Sequence, residues 1–289
     1  MANILVTGAN GTIGNATVRA LCEAGKKPRA GVRNIEKGAP LRALGAEVVS
    51  FDFSDPQGMR RALDGVEGML LVTPFVEDSV PLVKAALAAA KDAGVAFILR
   101  LSGLGADPDS SAPLARQHGI GERILHESDI ASSTIRSNFF MDNFINFAGT
   151  TIKNQQAIYG AAGAGKVAFV SSRDVGQVAA AILSSPAKHT GRRYELTGPA
   201  AIDHHEAART ISSTLGREVR YVDLTAQQLE ASLRQQGVPD FAVQGLMFLE
   251  HVKAQGWAAT VTPAVGEITG RAAEPFEAFV RREAKRLAS

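Results

Sequence analysis

Three groups of residues carry a spacing that chemistry can use. The first is Thr7-Gly8-Ala9-Asn10-Gly11-Thr12-Ile13-Gly14, with glycines in a G-x-x-G-x-x-G pattern. The second is Arg33 with Lys37, about twenty residues past that loop. The third is Ser102 together with His118 and Glu122, the last two spaced one helical turn apart.

The glycine triplet lies between an apolar run, Ile4 to Thr7, and an amphipathic segment, Ile13 to Ala24. A strand–turn–helix of this kind needs a missing side chain three times over: for the tight turn, for backbone approach to a pyrophosphate, and for close strand–helix packing. The helix N-terminus behind the loop offers N–H groups and partial positive charge to phosphates. Gly8, Asn10, Gly11, Thr12, Ile13 and Gly14 are therefore expected to hold a dinucleotide; the competing reading is a tight turn with no ligand. An NAD site places Asp or Glu at the end of the second strand to bind the ribose 2′-hydroxyl. Here the segment reads Val32-Arg33-Asn34-Ile35-Glu36-Lys37, so Arg33, assisted by Lys37, suits a 2′-phosphate instead. NADP is expected in preference to NAD. Asp52 and Phe53 follow the third strand, where the adenine edge lies; Asp52 either accepts from the adenine amino group or caps its loop.

Ser102 falls at the end of an apolar strand and suits hydrogen bonding to a substrate oxygen. His118 suits proton donation. Its competing reading is a packed helix histidine oriented by Glu122. The aromatic run Phe139, Phe140, Phe144 and Phe147 either walls an apolar substrate or packs a core, and Asn138 precedes it. Phe241, Leu246, Met247 and Trp257 are candidates for a far wall. His204-His205 beside Asp203 and Glu206 looks metal-like, but adjacent helical residues diverge, and Asp203 with Glu206 reads as an N-cap and N3 pair. No metal site is expected. Arg100, inside an apolar strand, has no role legible in the sequence.

These residues are positioned by a regular rhythm. Strands are expected at Pro28 to Arg33, Glu47 to Phe51, Met69 to Thr73 and Val95 to Leu101, with helices at Pro56 to Leu63 and Ser79 to Ala93 between them. Apolar runs without alternation suit strands covered on both faces, so a doubly wound parallel sheet follows. After about residue 135 the pattern changes. Residues 157–166 read as a loop or hairpin, Thr225 with Gln228 as a capping box, and Gly237 and Pro239 as a helix end.

The 289 residues, 45 % hydrophobic and with 31 Lys and Arg against 29 Asp and Glu, suit a globular α/β chain and argue against disorder. A net charge of +2 with scattered cations excludes a nucleic-acid footprint. The one cysteine, Cys22, excludes an internal disulfide and a thiolate zinc site. The longest apolar stretch, Val83 to Leu101, is broken by Lys84, Lys91, Asp92 and Arg100, so no membrane span is expected. With no basic segment before an apolar run in the first twenty residues, the reading is a cytoplasmic protein. The sequence is compatible with a homo-oligomer.

The pattern resembles the short-chain dehydrogenase/reductase superfamily and, within it, the atypical NmrA-like branch, which includes NADPH:quinone oxidoreductases and triphenylmethane reductase. The resemblance rests on residues 7–14, Val32-Arg33-Asn34, Phe51-Asp52, Ser102-Gly103, His118 with Glu122, Arg136 with Asn138-Phe139, and Arg173-Asp174-Val175. It implies a Rossmann-type NADP-binding core over residues 1–150, and a region over 151–289 that completes the sheet and forms a smaller C-terminal substrate-binding cap. It also implies that Thr73 and Pro74 sit beside the cofactor. The Tyr-x-x-x-Lys pair of ordinary superfamily members is missing, since Gly163, Gly198 and Thr225 stand four positions after the three tyrosines. Without that acid, the expected acceptors are apolar electrophiles that take hydride readily: a quinone, a conjugated cation, an iminium ion or an activated carbonyl. The alternative the resemblance allows is a non-catalytic NAD(P)-binding regulator.

Overall fold

The computed structural model describes residues 3–288. In chain order the elements are β1 (Ile4–Val6), α1 (Thr12–Glu23), β2 (Arg29–Val32), α2 (Ala39–Ala43), β3 (Glu47–Ser50), α3 (Pro56–Leu63), β4 (Gly68–Leu71), α4 (Val80–Asp92), β5 (Phe97–Gly103), α5 (Pro113–His126) and β6 (Ala131–Ser137). There follow α6 (Asn143–Asn146), α7 (Gly149–Gln155), β7 (Ala157–Gly160), α8 (Ser172–Ser184), β8 (Arg193–Leu196), α9 (His204–Leu215), β9 (Arg220–Asp223), α10 (Ala226–Gln235), α11 (Asp240–Ala254), α12 (Ala264–Thr269) and α13 (Phe276–Ala288).

Two units divide the chain. The first comprises the residues up to Ser137, Ser172–Glu195 and Glu267–Gly270; the second comprises Asn138–Ser171, Leu196–Gly266 and the residues from Arg271 on. Strand order in the main sheet is β3-β2-β1-β4-β5-β6-β8, with every pair from β3 to β6 parallel. This is the α/β, Rossmann-type doubly wound order, in which the crossover reverses between β1 and β4. The short apolar strands form because both faces are covered: β1 and β4 are buried at every position. On one face Leu5, Met69, Leu71 and Ile98 pack with Met59, Leu63, Val83, Leu87 and Leu125 in a continuous apolar core. On α8, Gly176 has no side chain where a Cβ would come within 3 Å of Ala16 on α1, so the two helices approach closely.

In the second unit β7 and β9 pair in parallel, Ala157 with Arg220 through Gly160 with Asp223. This corrects the loop or hairpin expected at 157–166. Ala157 and Ile158 are buried while Tyr159 is exposed, and a parallel partner cannot be reached through a tight turn. The core is aromatic: Phe144 packs edge-on against Phe169 and Phe276 at centroid distances of 5.2 and 5.0 Å. Capping boxes start α9 (Asp203 with Glu206) and α10 (Thr225 with Gln228), as the sequence implies. Helix α11 was not anticipated. Pro239, read as a stop for the preceding helix, is the N-cap of the next. Among the described residues no helix is long and apolar enough to cross a membrane.

Candidate active site

The carboxyl ends of β3, β2, β1, β4 and β5 lie side by side, which gathers most of the singled-out residues along one edge of the first unit. At the end of β1, Gly8 adopts φ +59°, a left-handed conformation that a side chain would strain. A Cβ on Gly14 would lie 2.2 Å from the Gly8 carbonyl oxygen, so α1 can approach the strand only through glycine. A Cβ on Gly11 would meet the same oxygen at 3.2 Å. Gly11 is the N-cap of α1 and brings no side-chain cap to the helix terminus. Gly8, Asn10, Gly11 and Thr12 are exposed, whereas Ile13 and Gly14 are buried beneath them. The loop is tied to β2 by the Ala9 amide, which donates to the Gly31 carbonyl at 3.1 Å. It thus has the shape, rigidity and helix terminus that a pyrophosphate requires.

Thr7, which the sequence reading left unassigned, fastens this edge. Its hydroxyl donates to the Val72 carbonyl at 2.9 Å and accepts from the Val72 amide at 2.8 Å. The pair holds the ends of β1 and β4 together at the switch point, just before Thr73, half-buried, and Pro74, exposed. Arg33 and Lys37 are both exposed past the end of β2. Asn34 is committed to local structure, accepting from the Glu36 amide at 2.9 Å. Asp52 is bonded within its own loop: Oδ1 accepts from the Ser54 amide at 2.8 Å and from its hydroxyl at 2.7 Å. Those bonds hold its carboxyl below the ordinary range, with Arg33 contributing by its charge. Phe53 stands edge-on to Phe51 at 5.4 Å.

Around the end of β5 lies a cluster of buried charge. In the β5–β6 register Ser102 pairs with Arg136, so both side chains stand on the same face as α5. Glu122, 7 % exposed, is the centre. Its Oε1 accepts from the Ser102 hydroxyl at 2.6 Å and from Arg136 Nε at 2.9 Å, and its Oε2 from Arg136 Nη2 at 2.8 Å. Arg193 Nε lies 3.4 Å from the same oxygen. Burial pushes the Glu122 carboxyl up, but hydrogen bonds from Arg136 and Ser102 and the charges of Arg136 and Arg193 outweigh it and hold it low. The carboxylate is therefore ionised at neutral pH.

His118 is beside this cluster but not bonded to Glu122, whose oxygens are spent elsewhere. Glu122 instead joins Ser102 and Arg136 in one network. The imidazole lies against Gly103, where a Cβ would sit 3.4 Å from its Cδ2 and 3.6 Å from its Nε2. Burial, then the charges of Arg100 and Arg136, drive its pKa down to about 4 against the smaller opposing pull of Glu122. At neutral pH it is an uncharged imidazole.

The residues expected to contact substrate lie in the second unit. Asn138 is buried, and both its polar atoms are engaged: its amide nitrogen donates to the Ala258 carbonyl at 2.9 Å and its oxygen accepts from the Phe139 amide at 2.8 Å. Phe144 belongs to the aromatic core. Phe139 and Phe140 are half-buried, with the Lys253 ammonium 5.3 Å over the Phe139 ring. Trp257, 60 % exposed, stands edge-on to His251.

A family model described as the NmrA-like family matches residues 1–267. The chain belongs to this family. Among NmrA-like relatives, the NAD(P)H azoreductase of Xenophilus azovorans is 34 % identical over 281 residues, covering 97 % of this chain and 98 % of the relative. A solved NADPH-dependent quinone oxidoreductase from Escherichia coli, complexed with NADPH, superposes with a TM-score of 0.85 at 28 % identity, over 98 % of this chain and 99 % of that one. The triphenylmethane reductase of Citrobacter sp., complexed with NADP(H), gives a TM-score of 0.84 at 25 % identity over 97 % and 99 %.

Proposed function

We propose that this NmrA-like chain is an NADPH-dependent oxidoreductase acting on an apolar, electrophilic acceptor. The observation that carries the cofactor is the glycine loop at the β1–β4 switch point, with Arg33 in place of an acidic residue at the end of β2. Gly8, Asn10, Gly11, Thr12, Ile13 and Gly14 would hold the pyrophosphate, and Arg33 with Lys37 the 2′-phosphate; Thr73, Pro74 and Ser102 border the strand ends where the rest of the dinucleotide would lie. Bound there, NADPH supplies a hydride. The relatives named for quinone, azo and triphenylmethane substrates support the reductase reading.

The acceptor class follows from what the chain's own residues can do. The Ser102 hydroxyl hydrogen is engaged by Glu122, so Ser102 presents its oxygen lone pairs and not a proton. Glu122 is held ionised and His118 neutral, so neither carries an acidic proton at neutral pH. A simple ketone, which develops alkoxide character, is poorly served by such a site. A quinone, an azo dye, a conjugated cation or an iminium ion depends less on a positioned acid. Orientation and exclusion of water by the residues around the strand ends would then carry most of the rate. Phe139 and Phe140 are the members of the aromatic run left half-exposed for an apolar partner.

Calorimetric titration with NADPH and NADH, followed by NADPH oxidation over a quinone, an azo dye, a triarylmethane cation, a cyclic iminium and a simple ketone, tests the reading. Tight NADPH binding and turnover of at least one electrophile but not the ketone is expected. Arg33→Glu should weaken NADPH about tenfold or more while leaving NADH nearly unchanged, a loss of about 1.4 kcal/mol or more. Binding of neither nucleotide would overturn the reading, and tight binding with no turnover would make the protein a regulator.

A further inference from the structure

Arg100 lies mid-strand in β5 between Leu99 and Leu101, and none of it reaches solvent. It shares a strand face with Ser102, the face that α5 covers. A Cβ on Gly121 of α5 would lie 2.3 Å from Nη2 and 2.7 Å from the guanidinium carbon, so the side chain rests against the helix where only glycine leaves room. A guanidinium carries five N–H donors. Among the described residues, Nε, Nη1 and Nη2 of Arg100 all lack a hydrogen-bond acceptor, and so does the buried Nδ1 of His118 on the same helix.

The usual resolutions for such a group fail here. Burial lowers the Arg100 pKa only to about 10, with Glu122 opposing, so the side chain stays charged at neutral pH. Glu122 is the neighbouring carboxylate, and its oxygens are taken by Ser102, Arg136 and Arg193. Aromatic rings sit near Lys253 and Arg282 among the described residues, not near Arg100. Arg193 is 59 % exposed and screened by solvent, but Arg136 is 13 % exposed. The interior therefore holds two guanidinium groups against one carboxylate. Water can satisfy donors but leaves that excess charge in a low-dielectric setting, where an uncompensated ion is costly.

We propose that Arg100, with His118 beside it, is the receptor of a buried site for one small monovalent anion of halide or nitrate size. One negative charge balances the cluster, and unpartnered buried N–H donors suit a compact acceptor. Full burial excludes a bulky or doubly charged anion. The site does not depend on what the protein reduces, and its test needs no turnover.

Crystals grown in sodium bromide, with diffraction measured at the bromine edge, should show an anomalous peak within hydrogen-bonding distance of the Arg100 nitrogens. At constant ionic strength, replacing gluconate by chloride, bromide or nitrate should raise Tm by about 3 °C per tenfold increase of the small anion above its Kd. Arg100→Met, which fills the volume without charge, should abolish both the peak and the anion dependence. A neutral water at Arg100 with the same Tm in chloride and gluconate would overturn the proposal. A peak without anion-linked stability would mean an adventitious ion only, and would overturn it equally. If Arg100→Met fails to fold, the two wild-type measurements decide between these outcomes.

Discussion

His118 and His204 are both largely buried, in different units and in opposite company. His204 is packed among rings, stacked on Tyr221 at 5.1 Å and tilted or edge-on to Phe144 and Phe169 at 5.9 and 5.5 Å. His118 lies in the first unit beside Arg100, Glu122 and Arg136. Burial dominates both depressed pKa values, about 3 for His204 and about 4 for His118, but the next contributor is Lys253 in one case and Arg100 in the other. The aromatic surroundings contribute stability through contact, which degrades gradually when a ring is removed. The charged surroundings set two guanidinium groups against one carboxylate, so removing that carboxylate leaves the cations worse off than before.

The largest effect should come from that imbalance. Glu122→Ala leaves buried Arg136 and Arg100 without their carboxylate and should cost about 3–5 kcal/mol, read from urea unfolding. A loss near that of a surface ion pair, under 1 kcal/mol, would show that Glu122 does not compensate the buried cations. Phe144→Ala, the counterpart in the rings, should cost about 3 kcal/mol or somewhat more as transfer and cavity terms combine. Its loss should be insensitive to salt, unlike that of Glu122→Ala.

Acid should act on both regions at once. In the unfolded chain each histidine binds its proton near pH 6.5, whereas folded His118 and His204 do so only near 4 and 3. Between these values the unfolded state binds more protons, so stability falls as pH drops from 6.5 toward 4 and is unaffected by these groups above 6.5. Each contributes at most about 1.4 kcal/mol per pH unit. Denaturation series at three pH values should show the slope reduced by His204→Phe and reduced separately by His118→Gln, each by at most about 1.4 kcal/mol per pH unit; an unchanged slope in either would break the parallel. Glu122, held low, adds a loss of its own at the acid end of the range. The smallest effect is expected for Ser102→Ala, about 1 kcal/mol, because Glu122 keeps Arg136 when the hydroxyl is gone.

The glycine loop, the parallel sheet and the capping boxes at Asp203 and Thr225 were legible in the sequence because each is local. Their turn, period or cap is written within a few residues. The network around Glu122 was not. Arg193 reaches it from a strand distant in sequence, and only the β5–β6 register places Arg136 beside Ser102. The oddity of Arg100 in an apolar run was the one visible signal. Helix α11 was missed because Pro239 signals a stop and a start equally well. For the aromatic run the sequence left a substrate wall and a core equally open, because side-chain type does not reveal which rings are packed; the structure places Phe144 in the core.

The Thr7 amide makes the last main-chain rung between β1 and β4, to the Leu70 carbonyl at 3.0 Å, and the Thr7 hydroxyl, bonded to both the amide and the carbonyl of Val72, does the work of the next one. A side chain has thereby extended a ladder that the main chain could no longer continue, at the point where the two loops part in opposite directions. The Val72 amide should accordingly exchange with deuterium as slowly as those within β4, although it stands at the rim. Thr7→Val, nearly identical in shape, should release that proton to solvent and let the rim breathe while the strands beneath stay closed.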